Sequence, residues 1–269
     1  MKKKILLIGL WWQWQKFLKY FLSKSNEYEV IWCCKTDITK KKIVSTYWID
    51  VSTDYKKIGR DKFDLVVSTV YPTNVQYQIV EYILENTNNK VLIDLPITFN
   101  LNKLKYLLSF DNLYLFNFEH YTKIFKLTSQ LKDRIKKINA TLFVWEKNIL
   151  SQIDTKKALV VDMFYMLNNL IEIDLGKIVV NYTKKIVVKD VEFLLEIVLI
   201  SGEKIIYKYE DGKGIIMFNW KLIIDNLTYE NVLNLILNNI FSDNFNKINY
   251  HCKIQHLKYW GYLIHNYLG

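Results

Sequence analysis

The stretch that decides the fold is Lys4-Ile5-Leu6-Leu7-Ile8-Gly9-Leu10-Trp11-Trp12-Gln13-Trp14, near the start of the chain. Lys4–Ile8 is a short apolar run of strand length, and Gly9 stands where a turn would follow it. From Trp14 to Ser23 the spacing of Phe17, Leu18 and Phe21 predicts one apolar face of a helix. The chain therefore opens with a buried strand, a glycine turn and a helix.

The same alternation of strand and helix continues through the first half of the chain. Further strands are predicted at Glu29–Cys34, Tyr47–Val51, Phe63–Ser68, Lys90–Asp94 and Leu113–Phe116. Helices are predicted over Thr73–Glu85 and Leu101–Leu108. Strands that alternate with crossover helices indicate a parallel sheet with helices on both faces.

The second half has a different pattern. Helices are predicted over Thr122–Ile138, Lys156–Ile173, Tyr229–Phe241 and His251–Tyr267, with a strand at Thr141–Trp145. Closely spaced strands are predicted at Lys177–Val188, Val191–Ile200, Glu203–Tyr209, Gly214–Asn219 and Leu222–Ile224. The predicted fold class is α/β, with an N-terminal Rossmann-type parallel sheet over residues 1–118 and an α+β domain with a largely antiparallel open sheet over residues 119–269.

The composition excludes several classes of protein. The chain has 269 residues, of which 51% are hydrophobic, and no apolar run approaches the length of a membrane span. We interpret the basic start as a first strand rather than a signal peptide, which predicts a cytoplasmic protein with no membrane partner. Cys33, Cys34 and Cys252 have neither a disulfide framework nor metal-ligand spacing.

The formal net charge of +10 raises the question of nucleic-acid binding. However, Arg60 and Arg134 are the only arginines, and the lysines are spread along the whole chain. Recognition of phosphates and base edges favours arginine, whose planar guanidinium binds bidentately. The sequence therefore disfavours nucleic acid as the main partner and favours a small-molecule substrate.

Four segments together resemble the Gfo/Idh/MocA family of NAD(P)-dependent oxidoreductases. Ile5–Gly9 resembles the first strand and its turn, and Leu65–Pro72 resembles the strand that ends in a small residue, Thr and Pro under the nicotinamide. Lys90–Thr98 is similar to the strand ending in Glu-Lys-Pro, and Leu159–Gly176 to the helix that carries an Asp and a catalytic His. The resemblance implies a Rossmann domain followed by an open-sheet domain.

The chain departs from the family at each of these motifs. Gly9, Trp11 and Trp14 stand where the fingerprint Gly-x-Gly-x-x-Gly has its three glycines, which serve the turn, the approach to the pyrophosphate and the helix–strand packing. Leu95 stands at the lysine position of Glu-Lys-Pro, and Met166 stands four residues after Asp162, where the family has histidine. The fold is thus predicted more firmly than the reaction.

The cofactor-binding candidates lie where strands end. Gly9, Leu10 and Trp11 follow the first strand, while Ser68, Thr69 and Tyr71 end the fourth. Lys35 follows the second strand, where a basic residue suits the 2′-phosphate of NADP and an acidic residue the 2′-hydroxyl of NAD. NADP is therefore favoured over NAD, and the alternative that no cofactor binds stays open.

The catalytic candidates are four ionisable residues. His120 and Tyr121 follow the sixth strand and are candidate proton donors. Asp162 and Tyr165 lie in the helix that resembles the family's catalytic helix, with Tyr165 the nearest substitute for the missing histidine. His251, His256 and His265 lack the spacing of a helical metal pair, so no metal site is predicted.

Two functions remain in competition. The first is a divergent NAD(P)H-dependent reductase acting on a small carbonyl, imine or sugar-derived substrate. The second is a catalytically inactive Rossmann-fold protein, in which the tryptophans cover the cofactor cleft and the C-terminal open sheet binds a partner protein or a second copy of the chain. Loss of the glycines, the lysine and the histidine favours the second, whereas retention of the whole scaffold favours the first.

Overall fold

The structure is a computed structural model that describes most of the chain. The described residues are 1–9, 12–70, 73–93, 98, 100–116, 123–145, 179–187, 191–210, 213–218, 221–225, 228–242, 253, 254 and 257. Contacts divide the chain into two compact units, one of Met1–Phe116 with Asn239–Tyr267 and one of Asn117–Asn238. The domain boundaries predicted from the sequence, 1–118 and 119–269, stay a prediction.

The first unit alternates strands and helices. Its strands are β1 (Lys3–Gly9), β2 (Tyr28–Cys33), β3 (Asp50–Ser52), β4 (Leu65–Thr69), β5 (Val91–Ile93) and β6 (Leu113–Leu115). Its helices are α1 (Trp12–Ser23), α2 (Asp37–Tyr47), α3 (Tyr55–Ile58), α4 (Thr73–Asn86) and α5 (Leu101–Leu108).

These strands form one parallel sheet, which we call sheet A. Its order is β3-β2-β1-β4-β5-β6, and every adjacent pair is parallel. Along the chain, β2 and β3 are added on one side of β1, and β4, β5 and β6 are then added on the other side. The strand order therefore reverses between β1 and β4, which is the arrangement of a Rossmann sheet. The predicted N-terminal fold is confirmed.

The core of this unit is the sheet and the helix that follows β1. All five residues of β4 and all three of β5 are buried, as expected for strands covered on both faces. On α1 the predicted face is buried, since Phe17 and Phe21 are fully inaccessible and Leu18 nearly so. The Phe17 ring packs edge-on against Phe116, with the ring centroids 5.2 Å apart. The helix is thus fixed over the sheet by large apolar side chains.

Residues 37–52 differ from the prediction in two elements, because α2 was not predicted and the third strand begins later. A third strand was predicted at Tyr47–Val51, but Tyr47 ends α2 and the strand is Asp50–Ser52. Among the described side chains of α2 only Ile43 is buried, so these residues show no apolar stripe. The feature of the sequence that indicates this helix is its N-cap residue, Thr36. The Thr36 hydroxyl oxygen accepts a hydrogen bond of 3.3 Å from the backbone N–H of Thr39.

The second unit contains a mixed sheet, which we call sheet B. Its elements are α6 (Lys123–Leu131), a 3₁₀ turn (Lys132–Arg134), β7 (Ile135–Trp145), β8 (Val179–Val187), β9 (Val191–Leu199), β10 (Lys204–Glu210), β11 (Lys213–Phe218) and β12 (Lys221–Asp225). The sheet order is β12-β11-β10-β9-β7-β8, and only the β7–β8 pair among these strands is parallel. The predicted largely antiparallel open sheet is confirmed. The chain then enters α7 (Tyr229–Phe241), at the predicted bounds.

One predicted helix extends too far. The helix predicted over Thr122–Ile138 ends at Leu131, and Ile135 already begins β7. The register of β7 against β9 shifts between Ile135 and Lys137, which marks a β-bulge. The extra residue lets Ile135 and Ile138 both be buried although they are three positions apart. That spacing imitates the period of a helix, which explains the error.

Residues near the end of the chain pack at the amino edge of sheet A, within the first unit. Lys3, at the start of β1, places its ammonium 3.9 Å from the centre of the Phe241 ring. Lys90, just before β5, donates a hydrogen bond of 2.7 Å to the carbonyl oxygen of Ile240 at the end of α7. Lys253 donates one of 2.6 Å to the carbonyl oxygen of Phe110, just before β6. Ile240, Phe241 and Lys253 therefore contact the amino edge of sheet A, opposite the carboxyl ends of its strands.

The buried Lys253 predicts a pH dependence of stability. Burial lowers the pKa of Lys253 to about 8, against a smaller opposing effect of Asp111. The folded protein therefore loses this proton before the unfolded chain does, so Lys253 makes stability rise as the pH rises from about 8 to 10.5. We expect the unfolding free energy of the wild type, relative to that of Lys253→Met, to increase on the order of 2 kcal/mol over this range.

Urea denaturation at pH 7, 8.5 and 10 measures this difference, with Lys105→Met on the exposed face of α5 as the control. The control difference should stay flat with pH. A flat difference for Lys253→Met as well would show that the ammonium is not buried at this position.

The described residues also bear on the expectations about cysteine and membranes. Cys33 and Cys34 are both buried and free, whereas Cys252 lies outside the described residues. Across the described part of the chain, no helix is both long enough and apolar enough to span a bilayer. In the same part, no three His, Cys, Asp or Glu residues are grouped so that they could hold a metal ion.

Candidate functional site

The candidate site lies at the carboxyl ends of β1 and β4, where the strand order of sheet A reverses. In the register of these strands Ile8 pairs with Ser68 and Gly9 with Thr69. On the other side of β1, Ile8 pairs with Cys33 of β2, so Lys35 comes just beyond the same edge. In open α/β sheets the crevice outside such an edge is where ligands bind. Three of the predicted segments are therefore brought together.

Gly9 ends β1 in a conformation that favours glycine. Its φ is +117°, outside the range that residues with a side chain readily adopt. A Cβ atom at this position would lie 2.6 Å from the carbonyl oxygen of Thr69 and 3.0 Å from the backbone nitrogen of Val70. The backbones of β1 and β4 approach too closely for any side chain. Position 9 therefore accommodates only glycine where β1 approaches β4.

Trp32 of β2 makes a hydrogen bond to the backbone at the end of β1. Its indole is fully buried, and its Nε1–H donates a hydrogen bond of 3.0 Å to the carbonyl oxygen of Gly9. Sequence reasoning missed this residue. The available signal was a tryptophan inside a predicted buried strand, because a buried indole N–H needs an acceptor. The contact fixes the orientation of the peptide that begins the turn.

Ser68 brings an unsatisfied hydroxyl to the same edge. The residue is fully buried, and its Oγ has no hydrogen-bond partner among the described residues. An unpaired buried polar group costs about 1–3 kcal/mol, so such groups usually meet a ligand or an ordered water molecule. Thr69, one residue further, is also almost fully buried. The end of β4 therefore offers polar groups in an otherwise apolar strand.

The end of β2 combines two neutral thiols with an exposed cation. Burial raises the pKa of the Cys33 thiol to about 12, with smaller contributions from Cys34 and Asp54, and burial also raises the pKa of Cys34. Both thiols stay protonated near neutral pH and are poor nucleophiles. Lys35 is exposed, and Thr36 then caps α2. Beyond the carboxyl end of β2, the polar groups are therefore the Lys35 side chain and the first turn of α2.

The predicted site residues divide into two groups. The structure places Gly9, Ser68 and Thr69 side by side and Lys35 at the same edge of sheet A. The other cofactor candidates, Leu10, Trp11 and Tyr71, and the catalytic candidates, His120, Tyr121, Asp162 and Tyr165, lie outside the described residues. Trp14 lies in α1, but its side chain is also outside what the structure describes.

The order of sheet A, which reverses between β1 and β4, defines a Rossmann-type α/β protein with a second, open-sheet unit. No family model matches the chain, and no curated protein matches its sequence. Solved structures do match, and their fold is that of the Gfo/Idh/MocA-type oxidoreductases. The fold that the sequence resemblance implied is confirmed.

Three of these structures illustrate the likeness. A biliverdin reductase from Synechocystis sp. PCC 6803, in complex with biliverdin and NADP⁺, has a TM-score of 0.72 and 10% identity and covers 95% of this chain and 96% of its own. A Gfo/Idh/MocA family oxidoreductase from Vibrio cholerae has a TM-score of 0.66 and 13% identity, with coverages of 96% and 95%. The WlbA dehydrogenase from Bordetella pertussis, in complex with NADH and UDP-GlcNAcA, has a TM-score of 0.62 and 9% identity, with coverages of 96% and 94%. At these identities the likeness shows the fold alone.

Proposed function

We propose that the chain is a cytoplasmic NAD(P)H-dependent reductase that acts on a small carbonyl, imine or sugar-derived substrate. The cofactor binds at the carboxyl edge of sheet A and supplies the hydride when bound. Nearly the whole chain matches in fold oxidoreductases whose structures contain NADP⁺ or NADH. The free, buried Cys33 and Cys34 suit a reducing compartment.

The observation that carries the proposal is the Ser68 hydroxyl at the switch point, which has no hydrogen-bond partner among the described residues. Ser68 lies one residue before Thr69, whose backbone packs against Gly9 too closely for a side chain at position 9. An unpaired buried hydroxyl is typical of a position that an ordered water molecule or a ligand group completes, and Ser68 lies where the strand order of sheet A reverses. Trp32 donates to the Gly9 carbonyl oxygen, so the peptide at the end of β1 is oriented before any ligand binds.

The proton for the reduced substrate would come from the catalytic candidates named from the sequence. His120 and Tyr121 follow β6, and Asp162 and Tyr165 belong to the segment that resembles the family's catalytic helix. We propose His120 as the first proton donor, because its ordinary pKa lies near neutral pH. Tyr121 and Tyr165 are the alternatives, with Asp162 as the group that orients the donor.

A titration with cofactor tests the proposal. Purified protein is titrated with NADPH and NADH, following tryptophan quenching and nicotinamide fluorescence, with calorimetry as the second method. We expect dissociation constants in the micromolar range, as is ordinary for enzymes and their small ligands. Absence of binding at millimolar cofactor to folded protein would overturn the reductase and favour the inactive partner subunit.

The choice between the two cofactors gives a sharper prediction for Lys35. Lys35 is exposed just beyond the end of β2, and we propose that its ammonium pairs with the 2′-phosphate that NADPH has and NADH lacks. Lys35→Glu should weaken NADPH binding about tenfold or more while leaving NADH binding unchanged or improved. Lys105→Glu, on α5, is the matched control and should change neither. Equal losses for both cofactors in Lys35→Glu would contradict the assigned contact.

A further inference from the structure

The indole of Trp32 adds a contact between β1 and β2 beyond the last residue pair of these two strands. Trp32 itself pairs in register with Leu7, and the last pair is Ile8 with Cys33. Gly9 lies one residue further along β1, and its carbonyl oxygen accepts the hydrogen bond of 3.0 Å from the Nε1–H of Trp32. A side chain of β2 therefore binds the backbone of β1 at the carboxyl edge of sheet A.

The register of the strands explains how the indole reaches this position. Paired residues of neighbouring strands belong to the same face of a sheet, so Trp32 and Leu7 share one face. Gly9 is two residues after Leu7 and belongs to that face too. Position 9 has no room for a side chain, because a Cβ there would lie 2.6 Å from the Thr69 carbonyl oxygen. The indole therefore meets backbone at position 9.

The burial of Trp32 determines how it can affect a ligand. Its side chain is fully inaccessible to solvent, so a ligand outside the carboxyl edge of sheet A has no access to the indole. Any effect of Trp32 on ligand binding must therefore act through the peptide to which its Nε1–H donates, at Gly9.

Gly9 is the residue at this edge whose orientation most needs to be fixed. It is the one glycine present where the family fingerprint has three, since Trp11 and Trp14 stand at the other two positions. Glycine has more backbone freedom than any other residue, so ordering an unfixed glycine around a ligand costs more conformational entropy. A carbonyl oxygen turned toward a bound pyrophosphate would also repel its oxygens. The hydrogen bond directs the Gly9 carbonyl oxygen to a buried donor instead.

We propose, on the basis of the proposed function, that Trp32 is a positioning residue of the cofactor site. Its indole N–H fixes the peptide that follows Gly9, with the Gly9 carbonyl oxygen directed away from the pyrophosphate of the cofactor. Trp32 thereby strengthens the binding of NADPH and NADH without contacting either. Both cofactors carry the same pyrophosphate, so loss of the donor weakens both equally, in contrast to the charge reversal at Lys35.

Cofactor titrations of two Trp32 variants test the proposal at a temperature where each variant is folded. One is Trp32→Phe, and the other carries benzothienylalanine at position 32 alone, in which sulfur replaces the Nε1–H and the shape of the ring system is kept. Both should bind NADPH and NADH about tenfold more weakly than the wild type does. Tyr28→Phe is the matched control, because it removes a buried hydroxyl from the opposite end of β2, and it should leave both dissociation constants unchanged.

Amide hydrogen exchange of the ligand-free variants separates the orientation of Gly9 from a general loss of stability. The exchange rate of the peptide containing Gly9, divided by that of a β5 peptide in the same protein, should rise about tenfold in both Trp32 variants, whereas general destabilisation would raise both rates together.

Three results would overturn the role of Trp32 while leaving the cofactor site in place: wild-type affinity in the benzothienylalanine variant, an unchanged ratio of exchange rates, or equal weakening in Tyr28→Phe. A wild-type protein that binds neither cofactor would overturn the proposed function itself, and the role of Trp32 with it.

Discussion

Replacing Gly9 by alanine is expected to lower the unfolding free energy by about 3 kcal/mol or more, one of the two largest effects expected in this chain. Two costs combine at this position. A positive φ of 117° strains any residue with a side chain, and the added Cβ would lie 2.6 Å from the Thr69 carbonyl oxygen. The neighbour is backbone in the middle of sheet A, so it cannot move aside without separating β1 from β4. Urea denaturation followed by circular dichroism measures the loss.

Gly202→Ala separates the two costs. Gly202 also has a positive φ, +87°, but a Cβ there would meet nothing within 4 Å. This control carries the backbone strain without the collision, and it should cost about 1 kcal/mol. Equal losses for the two variants would mean that β1 and β4 are not as close at Gly9 as the structure has them.

Truncating Trp32 is the second change with a large expected effect. Trp32→Ala should lower the unfolding free energy by about 3–5 kcal/mol, because it removes a fully buried indole and leaves a cavity beneath the Gly9 turn. Trp32→Phe retains most of the apolar volume but loses the Nε1–H that donates to the Gly9 carbonyl oxygen. It should cost about 1–2 kcal/mol, the usual range for one lost buried hydrogen bond with imperfect repacking.

The indole of Trp48 provides the matched control. It is 90% exposed at the end of α2, so Trp48→Ala should change stability by less than about 0.5 kcal/mol. A loss for Trp32→Ala no greater than this would show that Trp32 is not part of the core. If Trp32→Phe were as costly as Trp32→Ala, the hydrogen bond to Gly9 rather than packing would dominate.

The sequence predicts the two sheets well because their signals are local. β4 and β5 are short, wholly apolar runs, and the turn chemistry of Ser201-Gly202 separates β9 from β10. The prediction fails where long-range pairing alters a local period. The bulge near Lys136 gives β7 a helix-like spacing, and the side chains of α2 that the structure describes form no apolar stripe. The cap residue Thr36 was the one local sign of α2.

The candidate site is less accessible to sequence reasoning because its features depend on contacts between strands. Gly9, Ser68 and Thr69 are found by their positions at strand ends. The role of Trp32 is not, since its acceptor lies 23 positions away along the chain. That the Ser68 hydroxyl has no partner in the described part of the chain likewise becomes visible only when its neighbours Ile8 and Ile93 are known from the register.

The central claim is that a nicotinamide cofactor binds at the carboxyl edge of sheet A, and hydrogen–deuterium exchange with saturating NADPH tests it most directly. We predict slower amide exchange in the peptides that contain Gly9, Lys35 and Thr69, because a bound cofactor shields these backbone groups and suppresses local opening. Peptides at the opposite edge, around Lys90 and Phe110, should exchange at the same rate with and without NADPH. Unchanged exchange at Gly9 and Thr69, or slowing confined to sheet B, would contradict the account.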